Sequence, residues 1–182
     1  MISIAIILVL AWSFYLGYSR GLVLQAFYCL GSIIAMMIAT ATYKKLFSFL
    51  YLWVPFANAT QGSSTYYFDE KYLFNLDKVF YAGLAFLLIY ILVYILVRFL
   101  GIFVHLLEGF NPDTQLTNLI SGFLAVLVTF VSLQIVMVLL STIPLTVVQE
   151  KLHSSFLANF MIQYTPFTSS FLKSLWLSNI TG

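Results

Sequence analysis

The chain has 182 residues, 62% of them hydrophobic and only 8% charged, with a formal net charge of +2. A soluble domain carries roughly 25% charged residues to present a polar skin to water. At a third of that, and with a mean hydropathy of +1.02, this chain requires the bilayer as its solvent. The few basic residues are scattered, which argues against nucleic-acid binding. The single cysteine, Cys29, stands in an apolar run, so an internal disulfide and a multi-cysteine metal site are excluded, and it reads as a small packing residue.

Residues 2–17 are almost wholly apolar and predict a first spanning helix, at the short end of the roughly 17–25 residues that cross a hydrocarbon core. The run lacks the charged n-region and small-residue cleavage site of a signal peptide, and a second apolar run follows at once, so it is read as a retained helix. Trp12, Phe14, Tyr15 and Tyr18 gather at its end, where amphipathic rings settle at headgroup level. A polar corner, Tyr18-Ser19-Arg20-Gly21, then joins it to a second helix at residues 22–43, forming an antiparallel hairpin with one arginine at the tip. Gly17 and Gly21 are expected to permit the reversal, because glycine tolerates positive φ. In the second helix Gly31, Ala35 and Ala39 recur every four residues, a small-residue stripe that lets helix backbones approach closely in lipid. Lys44 and Lys45 are expected to end it.

The connection over residues 44–78 is polar overall but contains an aromatic-rich piece at 46–56 (Phe47, Phe49, Tyr51, Trp53, Phe56). That piece is too short to span and predicts an interfacial or re-entrant element. A Ser/Thr/Gly/Asn loop follows, then Asp69, Glu70, Lys71, Asp77 and Lys78 as a solvated approach to the third helix. Helix three is predicted at residues 79–107, interrupted only by Arg98, Gly101 and His105, and helix four at residues 116–143, ended by Pro144. Each has about 28 residues, or roughly 42 Å at 1.5 Å per residue, against a core of about 30 Å. Both therefore either tilt strongly or project into the aqueous phase. In the tail, Val148, Leu152, Phe156, Phe160 and Tyr164 recur every four positions, and Phe171, Leu172, Leu175 and Trp176 form a second short apolar face beyond Pro166. Such amphipathic segments rich in aromatics lie in the membrane interface. The fold predicted is all-α: a polytopic membrane protein with four transmembrane helices in residues 1–144, interfacial elements in the 44–78 connection, and an amphipathic tail at 145–182.

The hairpin sequence Gly17-Tyr18-Ser19-Arg20-Gly21 and the run Leu116-Thr117-Asn118-Leu119-Ile120-Ser121-Gly122 at the start of helix four are the residues by which the chain resembles the CvpA family, named for colicin V production. Ser154, Ser155 and Pro166 match the family's serine-then-proline tail. The resemblance covers residues 2–143 and extends more loosely to about 176. The chain departs from the pattern where the small-residue ladder of helix four reads Ser121, Ala125 and Thr129, with glycine only at Gly122, and where Val128 stands at a position often basic. The resemblance implies an integral membrane protein of the bacterial cytoplasmic membrane with a role in toxin production or export, and no assigned biochemical activity.

Among residues able to carry chemistry, Arg20 either anchors the hairpin at the headgroups by snorkelling or binds a lipid phosphate or a partner's carboxylate through its planar fork. Arg98 is interfacial or intramembrane according to where the core is centred, and Thr129, Ser132 and Gln134 on the antiparallel helix are its candidate partners in a polar network. Ser121, Gly122 and Ala125 read as helix-packing positions. His105 and Glu108 at i, i+3 share a helix face, but a metal site needs three or four ligands and the only other histidine is His153. HExxH, a P-loop and paired intramembrane acids are all absent from the sequence. No catalytic residue, cofactor or metal is therefore expected. The function expected is that of a non-enzymatic accessory or scaffold protein, with membrane lipids and a homo-oligomer or other membrane proteins as partners. The alternative is a subunit of an oligomeric channel or transporter, with Thr129, Ser132 and Gln134 facing a pore. Lys and Arg counts favour cytoplasmic termini, whereas the family pattern argues the reverse.

Overall fold

The computed structural model describes residues 2–54, 65–105, 114–165 and 168–181. Its helices are α1 (Ile2–Arg20), α2 (Leu22–Trp53), α3 (Leu76–His105), α4 (Gln115–Leu140), α5 (Thr146–His153), α6 (Phe156–Asn159) and α7 (Thr168–Thr181). A 3-10 helix (Glu70–Asn75) leads into α3, and a π-helical turn (Phe160–Tyr164) follows α6. There is no strand among the described residues. Helices are the only open-ended elements that satisfy their own backbone in hydrocarbon, and α1 to α4 are each long and apolar enough to cross it. Their outer faces are lined with exposed Ile, Leu, Phe, Met and Trp. The protein is thus an all-α polytopic membrane protein with four transmembrane helices.

Gly21 separates α1 from α2 with φ 84° and ψ 157°, and is the glycine that makes the corner. Gly17 does something else. It lies inside α1 against α4, where an added Cβ would sit 2.4 Å from Ala125 Cβ and 2.8 Å from the Ser121 carbonyl oxygen. The second helix does not stop at Lys44 and Lys45. Both lysines are exposed on its outer side, while Ala35, Ala39, Tyr43 and Leu50 keep one buried face in register through to Trp53. The aromatic piece expected as a separate interfacial element is consequently the last turns of α2. They end at Val54, which is extended (φ −102°, ψ 119°), as the residue before a proline prefers. α4 begins with a capping box in which Thr117 N–H donates to Thr114 Oγ1 (3.3 Å) and Thr114 N–H donates to Thr117 Oγ1 (3.1 Å).

Although α1 and α2 are joined by a tight corner, they pack chiefly on other helices: α1 along α4, and α2 along α3. Small residues set both pairings. Gly31 of α2 faces Val97 of α3, and Ala35 and Ala39 are fully enclosed. On α4, Ser121, Gly122 and Ala125 are buried, with Gly122 against the Phe14 ring.

The tail turns its apolar face onto this bundle. Leu152, Ala158, Met161, Ile162, Leu172 and Trp176 join the main core, and Trp176 packs edge-on to Phe86 at 6.0 Å. The four-residue repeat of the sequence is interrupted at Ser154 and Ser155. Leu152 therefore points inward, whereas Phe156, Phe160 and Tyr164 form an exposed stack with ring spacings of 6.5 and 6.3 Å. Gln149, itself buried, donates to the carbonyls of Ser141 (2.9 Å) and Ile143 (2.8 Å), satisfying backbone left over where α4 ends.

Candidate functional site

At the α1–α2 corner the four spanning helices line a half-open cavity of about 210 Å³, and Arg98 in its wall is exposed. Arg20 and Ser13 enter it from α1, Gln25 from α2, Tyr94 and Arg98 from α3, and Thr129 from α4. Trp12, which is 64% exposed, forms part of the wall, so the cavity reaches the lipid-facing surface.

The site is organised around Tyr28, a buried residue of α2. The guanidinium carbon of Arg20 lies 5.8 Å from its ring centroid and that of Arg98 lies 5.1 Å away, both within cation–π range. The ring can occupy this position because residue 101 is glycine: a Cβ there would fall 2.5 Å from Tyr28 Cε1 and its hydroxyl. Since Arg20 is the last residue of α1, sharing one ring with it sets Arg98 level with the corner rather than deep in the bundle. Tyr94 stands one helical turn before Arg98 and lies beside it.

Two further features define the site. Among the described residues neither arginine has an acidic partner; the ion pair present there is the exposed Lys71–Asp69, at 3.0 Å. Gln25 is only 2% exposed, and its carboxamide oxygen has no hydrogen-bond partner among the described residues. Buried polar atoms are normally paired, so this oxygen calls for a donor. The corner is held rigidly beneath these groups. Ser121 Oγ approaches the carbonyls of Gly17 (2.5 Å) and Gly21 (3.0 Å) and shares its one proton between them, fastening the end of α1 to α4.

The other polar residues expected in one network are distributed among three places. Arg98 and Thr129 line the same cavity. Ser132 belongs to a chain running across α2, α3 and α4. Its hydroxyl donates to the Val128 carbonyl (2.8 Å) and therefore accepts from Tyr90 (2.9 Å), which in turn accepts from Ser32 (2.8 Å). Gln134 is fully buried and serves the tail: Nε2 donates to the Met161 carbonyl (2.9 Å) and to Thr165 Oγ1, and Oε1 accepts from Thr168 (2.5 Å). Cys29 is half-buried. Glu108 lies outside the described residues, as does the side chain of His105, while His153 stacks on Tyr66 at 4.5 Å. No cluster with metal-ligand composition occurs among the described residues.

At the opposite end of the bundle, Lys173 lies over the rings of Tyr67 (5.9 Å) and Phe68 (5.5 Å). Burial lowers the Lys173 pKa below its usual value and pushes the Tyr67 hydroxyl up to about 12.

Reading the sequence position by position singles out Arg20 and Arg98 but not their common ring; it passes over Tyr28 and Tyr94 and takes Gly101 only as a break in an apolar run. A signal was present. Gln25 and Tyr28 stand at i, i+3 and Tyr94 and Arg98 at i, i+4, so each pair shares a helix face at the arginine end.

The fold and the site together define a polytopic membrane protein whose four spanning helices are closed by small residues and carry, at one end, a largely apolar cavity with two arginines. Residues 2–166 match the family described as colicin V production protein, and the chain belongs to that family. It is similar to an uncharacterized transmembrane protein of Bacillus subtilis (strain 168), YshB, with 27% identity over 176 residues, covering 97% of each chain. No solved structure matches.

Proposed function

We propose that this protein is a non-enzymatic accessory or scaffold protein of the bacterial cytoplasmic membrane, acting in toxin production or export by associating with lipids and other membrane proteins. The observation that carries this reading is where the polar groups of α4 go. Ser132 and Gln134 spend their hydrogen bonds inside the protein, as Ser121 does, and Gln134 has no exposed surface, while Thr129 lines the corner cavity. A channel or transporter built on that face would need those groups wetted. The family's description, colicin V production protein, supports the link to toxin production. The exposed apolar faces of α1 to α4 and the aromatic stack on the tail offer surface to lipid or to a neighbouring membrane protein.

The test is solvent access. In a Cys29→Ser background, single cysteines at Ser132 and Gln134 are exposed to a membrane-impermeant maleimide in proteoliposomes. The scaffold reading expects neither to react until detergent unfolds the bundle. Rapid labelling at both would reveal an aqueous path and restore the channel alternative. In parallel, deleting the gene in a toxin-producing host should lower extracellular toxin, and unchanged export would remove the assigned role.

A further inference from the structure

The corner cavity combines two requirements that a single ligand would meet. Two guanidiniums share the Tyr28 ring, at 5.8 and 5.1 Å, with no carboxylate beside them among the described residues. Such an arrangement is self-repelling unless an anion lies between the charges, and the planar donor fork of arginine is suited to phosphate oxygens. Gln25 lines the same cavity, and its carboxamide oxygen, buried and unpartnered beside it, asks for the opposite: a hydrogen-bond donor. Tyr94 and Thr129 add hydroxyls that both donate and accept, and Ser13, whose proton goes to the Leu10 carbonyl (2.8 Å), adds an acceptor. The cavity has room for about seven waters at about 30 Å³ each, and its wall includes the exposed Trp12, so a headgroup could enter sideways from the membrane while its acyl chains stay in lipid.

We infer that this cavity binds the phosphate of a headgroup carrying its own donor, a phosphatidylglycerol-type lipid, with Arg20 and Arg98 on the phosphate and the Gln25 carboxamide turning its buried oxygen into the cavity to accept from a glycerol hydroxyl. A soluble phosphate ester such as sn-glycerol 3-phosphate offers the same chemistry without the acyl chains, and the experiment separates the two sources. The site is a property of the chain itself and holds whether or not the protein acts in toxin export.

The test is thermal melting of the full-length protein in neutral detergent, titrated with phosphatidylglycerol, phosphatidylmethanol, phosphatidylcholine or sn-glycerol 3-phosphate. A ligand that binds only the folded state raises the melting temperature with its concentration. Phosphatidylglycerol is expected to raise it most. Phosphatidylmethanol, which has the charge but no donor, should raise it less, and phosphatidylcholine should leave it unchanged. Arg98→Gln is expected to weaken the phosphatidylglycerol response about tenfold or more, the size of a lost charge-assisted hydrogen bond, while melting as sharply as wild type without lipid. Should Arg98→Gln fold poorly, Arg98→Lys keeps the charge without the fork and is expected to weaken the response by a smaller factor. Gln25→Leu should make phosphatidylglycerol and phosphatidylmethanol equivalent. An equal response to sn-glycerol 3-phosphate would assign the site to a soluble ester. Equal responses to phosphatidylglycerol and phosphatidylcholine, or an Arg98→Gln variant indistinguishable from wild type, would overturn the assignment.

Discussion

Replacing Gly17 by alanine tests the central packing argument, that α1 is held to α4 by backbone contact rather than by side-chain area. The new Cβ would lie 2.4 Å from Ala125 Cβ and 2.8 Å from the Ser121 carbonyl oxygen, whereas carbon atoms rest about 3.5–4.0 Å apart. Neither neighbour is the flexible end of a long side chain, so the helices must separate by about an ångström. Overpacking of this kind costs about 1–3 kcal/mol. Separation also stretches the Ser121 contacts to Gly17 and Gly21, now 2.5 and 3.0 Å, and interhelical hydrogen bonds in membranes average about 0.6 kcal/mol each. The expected loss is about 2–4 kcal/mol, read as a shifted midpoint in an SDS titration in mixed micelles. Gly17→Ala with Ala125→Gly removes the closer of the two clashes and should recover about half the loss. A Gly17→Ala protein within about 0.5 kcal/mol of wild type, the range of an ordinary surface substitution, would refute the packing scheme.

Gln134→Leu removes three hydrogen bonds to the tail and is expected to cost about 2 kcal/mol at 0.6–1 kcal/mol each. Its signature is local: hydrogen exchange in α7 should accelerate while α1 to α4 keep their protection, and uniform loosening of all helices would contradict it. At alkaline pH two groups act in opposite directions. Burial lowers the Lys173 pKa, so the folded protein binds that proton less tightly than the unfolded chain. Stability should therefore rise with pH until the unfolded lysine loses its proton near 10.4. Burial raises the Tyr67 pKa to about 12, against about 10 in an unfolded chain, so its contribution is complete below pH 10 and is lost between pH 10 and 12. Melting in detergent should thus peak near pH 10. Tyr67→Phe should blunt the alkaline decline and Lys173→Met the rise before it, and a profile unchanged by both would dismiss the linkage.

The four spanning helices were legible in the sequence because lipid leaves a long apolar run few alternatives. What the sequence concealed depends on rotation about helix axes. Lys44 and Lys45 look like a terminator when read linearly, but on the wheel they are neighbours on the outer face of a helix whose inner face runs on from Tyr43 to Leu50. Gly17 looked like half of the corner because it flanks Arg20, yet only Gly21 has positive φ. The tail pattern gave a periodicity but no reference direction, and the break at Ser154 and Ser155 leaves Leu152 inside and Phe156 outside. For the site, both arginines could be named from sequence. Their meeting at Tyr28 required the pairing of α2 with α3 and the absence of a side chain at Gly101, neither of which a single sequence displays.

That distinction bears on how intramembrane polar residues should be read. A polar group within an apolar run is expensive, which makes it a candidate for function by default, but the cost is offset wherever the group finds a partner. Here the default fails for most of them. Ser32, Tyr90 and Ser132 form one directional chain, Ser121 closes the α1–α4 contact, and Gln134 and Gln149 tie the tail to the end of α4. Each satisfies a neighbour, and together they explain how three-dimensional order is specified where apolar surface cannot discriminate one helix face from another. The residues that break the pattern are Gln25, Arg20 and Arg98, which share a single cavity: the Gln25 oxygen has no hydrogen-bond partner, and neither arginine has an acidic one, among the described residues. Their grouping at one end, open to lipid beside Trp12, is what separates a ligand site from a packing device.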